Sequence, residues 1–130
     1  MNRYVVDTHA IYWHLTQSSK LGPRAAAAFE EGERDEARLY VPSIVLCELF
    51  YLNEKLKRPL KFADVFNDLD GGRQYVLVPF EPSDVLRFDT DYVVPEMHDR
   101  MIVGVAMKLN APIITMDARI ASSGHAAVVW

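Results

Sequence analysis

The sequence predicts an α/β fold: a central, mostly parallel sheet of about five strands, with helices on both faces. Two observations support this prediction. Short apolar runs alternate with longer helical patterns, and most of these runs lack the polar alternation of a strand that is wetted on one face. Half of the 130 residues are apolar and a quarter are charged, which is typical of one globular domain spanning residues 1–130.

The predicted elements alternate along the chain. The strands are Tyr4 to Val6, Leu39 to Val41, Tyr75 to Val78, Ile113 to Met116 and Ala127 to Trp130. The helices are approximately Thr8 to Leu15, Pro23 to Glu33, Ile44 to Lys57, Phe62 to Leu69, Ser83 to Asp91 and Asp99 to Leu109. Glycines at 71 and 72 predict a helix end, and the run Asn-Ala-Pro at 110–112 predicts a turn from helix into strand.

Composition and motifs exclude several classes of protein. The single Cys47 cannot support a disulfide framework, and its apolar helix predicts a buried, inert thiol. No segment has the length of a membrane span or the layout of a signal peptide, so we expect a cytoplasmic protein with no membrane partner. Glycine-rich nucleotide motifs and the G-x-S-x-G motif are absent, and the four histidines lack a paired zinc-ligand spacing.

Two predicted strands run directly into an aspartate. The segment RYVVD carries the first strand to Asp7, and PIITMD carries the fourth to Asp117. In parallel α/β sheets, ligands bind beyond the carboxyl ends of the strands, which is where both aspartates are expected. Either aspartate alone could instead be a helix N-cap, a position that Asp favours strongly.

Two more acids interrupt the apolar faces of predicted helices. Glu48 shares a face with Ile44 and Tyr51, four and three residues away. Asp99 shares a face with Ile102. A buried carboxylate without a partner is costly, so such a group is expected to be paired, protonated or bound to a metal. A structural ion pair, or a helix cap for Asp99, is the alternative for each acid alone.

Four acids can converge at one edge of the predicted sheet, and we call them the acidic quartet: Asp7, Glu48, Asp99 and Asp117. Crowded carboxylates cannot all stay ionised without a counter-charge. Mg²⁺ takes oxygen ligands and binds through carboxylates and substrate phosphates, so the quartet suits one or two such ions. The net charge of −4 argues mildly against a nucleic-acid partner. Without the quartet the remaining charge is formally zero, which weakens this objection.

Three segments carry a resemblance to a known family: VVDTHAIYWHL, VPSIVLCELFYL and HDRMIVGVAMKLNAPIITMDARI. In order and spacing they resemble the successive motifs of PIN-domain ribonucleases, most closely the VapC-type toxins of toxin–antitoxin systems. The resemblance implies a PIN-like three-layer fold and Mg²⁺- or Mn²⁺-dependent endonucleolytic cleavage of RNA, with 5′-phosphate and 3′-hydroxyl products. It also implies a cognate antitoxin protein as a partner.

The resemblance also implies roles for individual residues. The acidic positions of the family fall on the quartet, with Asp7, Asp99 and Asp117 mainly as metal ligands. Glu48 would act on a metal-bound water or in proton transfer. Thr115 matches the hydroxyl of the T-x-D element, which helps to hold a ligand or water. The residues after Asp117, ARI, lack a further acid that some relatives carry, which leaves a second metal site open.

Basic and apolar residues predict two further contacts. Arg100 and Arg119 lie next to quartet members in sequence, and we expect them to meet RNA. Leu46 and Phe50 make the helix from Ile44 apolar nearly all round, so it must be covered on more than one side. Another helix of the chain could cover it. The resemblance favours a two-fold homodimer instead, because members of the family dimerise through this region.

Two other functions stay open. A PIN-like domain could bind RNA or a protein without cutting. A Mg²⁺-dependent phosphotransfer protein would also place aspartates at strand ends. The latter should show adjacent acids or D-x-D after the first strand, where this chain has Asp7, Thr8 and His9.

Overall fold

The fold is built on one sheet of five parallel strands. The structure is a computed structural model, which describes residues 1–90 and 93–130. The strand order across the sheet is β3-β2-β1-β4-β5, and every neighbouring pair is parallel. The strands are β1 (Asn2–Val6), β2 (Ala37–Pro42), β3 (Tyr75–Val78), β4 (Ile113–Ile114) and β5 (Val128–Val129). The predicted α/β class and the five-stranded parallel sheet are therefore confirmed.

Helices fill the connections between the strands. The α-helices in the described residues are α1 (Thr8–Leu15), α2 (Pro23–Glu33), α3 (Ser43–Lys55), α4 (Phe62–Gly71), α5 (Met97–Leu109) and α6 (Ala118–Ser123). The predicted helix from Ser83 to Asp91 is instead a 3-10 helix, Pro82–Thr90, and Asp91 lies outside the described residues. The short α6 was not predicted, because its six residues give too little sequence to show a period.

Both faces of the sheet are covered. Consecutive strand residues point to opposite faces, and the neighbours Val5 and Val6 in β1 are both fully buried, as are Ile113 and Ile114 in β4. The chain moves from β1 outward to β3, then crosses back to β4 on the other side of β1. Right-handed crossovers therefore place the helices of the two halves on opposite faces, which gives three layers.

Residues at the helix ends account for most helix boundaries. Pro23 opens α2, where a missing N–H costs nothing. The predicted stop at the two glycines is confirmed: α4 ends at Gly71, and Gly72 follows it, where an added Cβ would lie 2.7 Å from the Asp68 carbonyl. At the end of α5, Asn110 adopts a left-handed backbone (φ 49°), a conformation that asparagine tolerates better than most residues.

Two helix boundaries differ from the prediction for local reasons. Helix α3 stops at Lys55, because Lys57 and Arg58 both have positive φ values of 67° and 56° and cannot continue a right-handed helix. Helix α5 starts two residues before Asp99, because the side chain of Glu96 caps it. No helix among the described residues has both the length and the apolar character needed to cross a bilayer.

Candidate metal and catalytic site

The reversal of strand order creates a crevice between β1 and β4. Chain connections leave β1 and β4 in opposite directions across the sheet, which in open α/β sheets marks the place where ligands bind. Val6 pairs with Ile114, and the backbone N–H of Asp7 donates to the Ile114 carbonyl at 3.1 Å. Asp7 and Thr115 therefore emerge side by side at the carboxyl edge of the sheet.

Thr115 connects two members of the acidic quartet. Its hydroxyl, on a residue that is only 2% exposed, donates to Asp7 Oδ2 at 2.6 Å and accepts from the backbone N–H of Asp117 at 3.0 Å. The second bond turns the chain out of the sheet, which explains why β4 ends at Ile114 rather than at the predicted Met116. The predicted site residues Asp7, Thr115 and Asp117 are thus brought together.

Glu48 reaches the same place from α3. Its Oε1 accepts from the hydroxyl of Thr8 at 2.9 Å, and Thr8 is the residue after Asp7. Its Oε2 lies 3.4 Å from Nδ1 of His98. Because each carboxylate oxygen faces a separate partner, the side chain of Glu48 is fixed on the Asp7 side of the crevice.

Asp99 enters from the first turn of α5. Glu96 caps this helix by accepting from the backbone N–H of Asp99 at 2.8 Å. Burial, together with the negative charges of Asp117, Glu96 and Asp7, raises the pKa of Asp99 to about 6, against the lowering effect of Arg119. The charge of Asp99 is therefore disfavoured in this site without a further cation.

The guanidinium of Arg119 supplies part of the missing positive charge. Its Nη2 lies 3.7 Å from Asp99 Oδ2 and 3.5 Å from Asp117 Oδ2. Its side chain is 65% exposed, so these contacts are long, wet and weak. Arg119 is thus placed at the quartet, beside two of its members, as its position in the sequence predicted.

A cavity of about 660 Å³ unites the site. All four quartet residues line it, together with Glu96, His98 and the two basic side chains of Lys55 and Arg119. Arg100 does not line it: its guanidinium donates to the carbonyls of Val94 and Phe88, behind α5. Adjacency in sequence to Asp99 does not bring Arg100 into this cavity, because successive helical residues point in different directions around the helix, and its expected contact with RNA stays a prediction.

Cys47 also differs from the prediction. Its side chain is exposed and lines the cavity, whereas the sequence predicted a buried thiol. Helix α3 is apolar on more faces than the sheet covers, so an apolar neighbourhood in the sequence did not mean burial at this position.

Three polar residues of the site carried no prediction of a role. Thr8 and His98 contact Glu48, and Glu96 caps α5. No capping signal pointed to Glu96, because glutamate is not among the residues that favour an N-cap. Thr8 directly follows Asp7, and His98 directly precedes Asp99. Only the fold places Glu48 between Thr8 and His98.

The donor set suits a hard divalent cation. Carboxylate oxygens are the ligands that Mg²⁺ and Mn²⁺ prefer, and the carboxylates that line the cavity outnumber its one thiol, Cys47, and its two imidazoles, His9 and His98. Within residues 1–90 and 93–130, no three His, Cys, Asp or Glu side chains already form a closed metal-binding group. The fit is therefore one of chemistry and charge: a shared cavity with surplus carboxylates and one of them, Asp99, with a raised pKa.

The fold and site define an α/β protein with an acidic crevice at a topological switch point. A model of the PIN domain matches residues 4–125, nearly the whole chain, and the chain belongs to this family. PIN domains are generally nucleases. The predicted resemblance to PIN domains is thereby confirmed. No protein with a curated description is significantly similar to the chain in sequence.

Solved structures share the fold over almost the full length. The VapBC2 complex from Rickettsia felis, bound to a promoter DNA fragment, matches with a TM-score of 0.70 at 15% identity, covering 97% of this chain and 96% of that chain. The DNA-bound VapBC of Salmonella typhimurium matches at 0.69 and 16% identity, covering 98% and 97%. FitAcB from Neisseria gonorrhoeae matches at 0.68 and 18% identity, covering 96% and 95%.

Proposed function

We propose that this protein is a Mg²⁺- or Mn²⁺-dependent endoribonuclease. One observation carries the proposal: four carboxylates from four separate segments of a PIN domain line one cavity, at the edge of the sheet where α/β proteins bind ligands. Four carboxylates would repel a negatively charged phosphodiester. The site can therefore accept RNA only when a bound cation adds positive charge.

The chain would hold the cation through Asp7, Asp99 and Asp117. A divalent metal in such a set neutralises phosphate charge and lowers the pKa of a bound water, which is the chemistry that phosphodiester hydrolysis needs. Water attack at phosphorus with loss of the 3′-oxygen leaves 5′-phosphate and 3′-hydroxyl ends. Arg119 is an exposed cation beside these ligands, and its guanidinium would turn toward a substrate phosphate.

The remaining polar residues would orient the reacting groups. The Thr115 hydroxyl would hold Asp7 and the backbone just before α6 in place. The carboxylates of Asp7 and Asp117 both remain at the cavity. Thr8 holds Oε1 of Glu48, which leaves Oε2, on the His98 side, to accept a proton from the attacking water.

The decisive experiment is a cleavage assay on a mixed-sequence RNA. The purified protein should cut in Mg²⁺ or Mn²⁺ and stop in EDTA. Asp7→Asn should lower the rate by more than about 100-fold, because even residues that only support metal ligands are worth about 10- to 100-fold. Asp64→Asn, on the exposed start of α4, is the matched control and should cut normally. Undiminished cutting in EDTA would refute the metal mechanism, and RNA binding without any cutting would favour the inactive PIN-like module.

We further propose that the protein is the cytoplasmic toxin of a toxin–antitoxin pair. Support comes from the sequence motifs and from the shared fold with chains of VapBC complexes. A protein antitoxin could neutralise the cavity by placing a basic side chain against the quartet. Expression of this chain alone should slow growth, whereas the Asp7→Asn variant should not. A neighbouring small reading frame should restore growth, and harmless expression of an enzyme that cuts RNA in vitro would refute the toxin role.

A further inference from the structure

The cavity continues along α3 beyond the quartet. Glu48, Tyr51 and Lys55 are spaced by three and four residues, so they share one side of the helix, and all three line the cavity. At 1.5 Å of rise per residue, Lys55 lies about 10 Å along the helix axis from Glu48. We call Tyr51 and Lys55 the α3 row. The proposed chemistry makes no use of either side chain.

Tyr51 is both exposed and braced. Its side chain belongs to a residue that is 72% exposed, which is unusual for an aromatic group beside a cavity. The ring of Phe50 meets it edge to face at 5.4 Å and 88°, and Phe62 meets Phe50 in the same way at 5.3 Å and 89°. A chain of three aromatic rings therefore supports the Tyr51 ring from α4 and leaves it accessible.

Lys55 forms no ion pair with the acids of the cavity in the described part of the chain. It is exposed, and Arg119, in the same cavity, is the cation that faces Asp99 and Asp117. Its position at the far end of the α3 row keeps its charge away from the quartet. A ligand with an anion at that distance from the quartet would find Lys55 available.

We infer that the α3 row binds one unpaired nucleotide of an RNA substrate next to the scissile phosphate. This inference rests on the proposed function. Tyr51 stacks on the base and Lys55 pairs with a backbone phosphate. A base inside a duplex is already stacked on both faces, so the site selects single-stranded RNA or an open loop. The preference for single-stranded over duplex RNA therefore arises from binding at the α3 row and not from the chemistry at the quartet.

Binding is measured in an Asp7→Asn background, which keeps the RNA probe intact. The probe is a short fluorescent oligoadenylate, followed by anisotropy, with its duplex with oligouridylate as the comparison. Tyr51→Ala should weaken binding of the single strand by about 5- to 150-fold, which is the contribution of one stacked base. Tyr51→Phe, which keeps the ring, should bind within about twofold of the parent. Lys55→Ala should lower the slope of log affinity against log salt by about one contact.

Three results would overturn the inference. The first is equal affinity of the parent for single strand and duplex, or no binding of either. The second is an unchanged affinity of Tyr51→Ala. The third is a change of oligomeric state on Tyr51→Ala in light scattering, which would assign the ring to a protein interface. Cleavage of mixed-sequence RNA by the wild type is scored separately, so a failed subsite and a failed nuclease give different patterns.

Discussion

The aspartates that follow β1 and β4 each cap a helix and also line the acidic cavity. The sequence left open whether Asp7 and Asp117 were helix N-caps or site residues, and each aspartate is a cap. Asp7 Oδ1 accepts from the backbone N–H of Thr8 at 2.7 Å, and Asp117 Oδ1 accepts from that of Arg119 at 2.8 Å. The second oxygen of Asp7 accepts from the Thr115 hydroxyl, and the second oxygen of Asp117 lies 3.5 Å from Nη2 of Arg119, at the cavity that both aspartates line. An N-cap therefore orients a carboxylate for the site rather than competing with it.

A first prediction at this scale concerns the hydroxyl of Thr115. Thr115→Val keeps the shape but leaves Asp7 Oδ2 and the Asp117 N–H without their partner. We expect a loss of about 1–3 kcal/mol in the free energy of unfolding. Catalytic rate should fall by about 10- to 100-fold, as for other residues that orient ligands. Thr115→Ser keeps the hydroxyl and should retain most of the activity. Equal activity of the Val and Ser variants would show that the hydroxyl is irrelevant.

A second prediction concerns the charge of Asp99. Its pKa rises from 3.8 to about 6 on folding, so the folded state favours the protonated form. The contribution of this pKa shift to the free energy of unfolding is fully present below pH 3.8 and is lost as the pH rises through 6. Without metal and well above that pH, Asp99→Asn should raise the Tm by a few degrees, and the gain should shrink on acidification.

Thermal unfolding in EDTA across this pH range tests the prediction. Asp64→Asn, which removes an exposed acid at the start of α4, serves as the control and should give no gain. A lower Tm for Asp99→Asn at the higher pH would identify Asp99 as a structural ion-pair partner of Arg119.

At the level of residues, the sequence predicted the acids of the site better than their neighbours. A carboxylate at a strand end or on an apolar helix face can be recognised from the sequence alone, because a charged group is unexpected among apolar residues. His98 and Thr8 cause no such conflict, and their contacts to Glu48 join segments 50 and 40 residues apart. Arg100 follows Asp99 in sequence but lies outside the cavity, because nearness in sequence says little about direction around a helix.

Among the elements, the turn between α3 and α4 is held by one buried amide. Asn53 is 2% exposed, and its side chain donates to the Leu60 carbonyl at 2.8 Å and accepts from the Leu60 N–H at 3.0 Å. These bonds span the two residues with positive φ, Lys57 and Arg58. The amide thereby supplies partners for both backbone groups of Leu60, just before α4 begins.

Asn53→Ala is therefore predicted to destabilise the fold by about 1–3 kcal/mol, because both backbone groups of Leu60 lose their partner. Asn67→Ala, at an exposed position of α4, is the matched control and should be neutral or slightly stabilising, since alanine favours helix. Urea unfolding of both variants measures the difference. Equal midpoints for the two would show that water replaces the Asn53 amide at little cost.

Element types were predictable where a segment is long and periodic, and less so where contacts decide. The five strands and the helices α1 to α5 follow from apolar runs and punctuation by Pro, Gly and Asn. The 3-10 geometry at 82–90 was not visible in the sequence, and one of its contacts with α5 is made by a backbone group, the Phe88 carbonyl that accepts from Arg100. A side-chain pattern carries no information on such bonds.

For the whole molecule, the main feature of the α3 and α4 surface is an exposed apolar groove. An apolar groove of about 290 Å³ runs between these helices, lined by Leu46, Phe50, Phe62 and Phe66, with Cys47 and Tyr51 at the rim shared with the acidic cavity. Phe50 and Phe66 are each 40% exposed. The expectation that α3 must be covered beyond the sheet therefore stands, and α4 covers it only in part.

We predict a two-fold homodimer through this groove. Phe66→Glu, chosen because Phe66 lies in the groove and outside the ring chain that supports Tyr51, should give a folded monomer in light scattering. Leu86→Glu changes an equally apolar residue, 72% exposed, away from the groove and should leave the dimer intact. A wild-type monomer at micromolar concentration would exclude the homodimer.

The bond from Thr115 to Asp7 joins residues 108 positions apart, and it has a consequence for synthesis. Translation delivers Asp7 first and Asp117 last, with β4 pairing onto β1 only afterwards. A nascent chain that has not yet released β4 from the ribosome holds at most three of the four carboxylates, and so does any proteolytic fragment that ends before residue 117. Neither kind of incomplete chain carries the full quartet, so we predict that neither cleaves RNA.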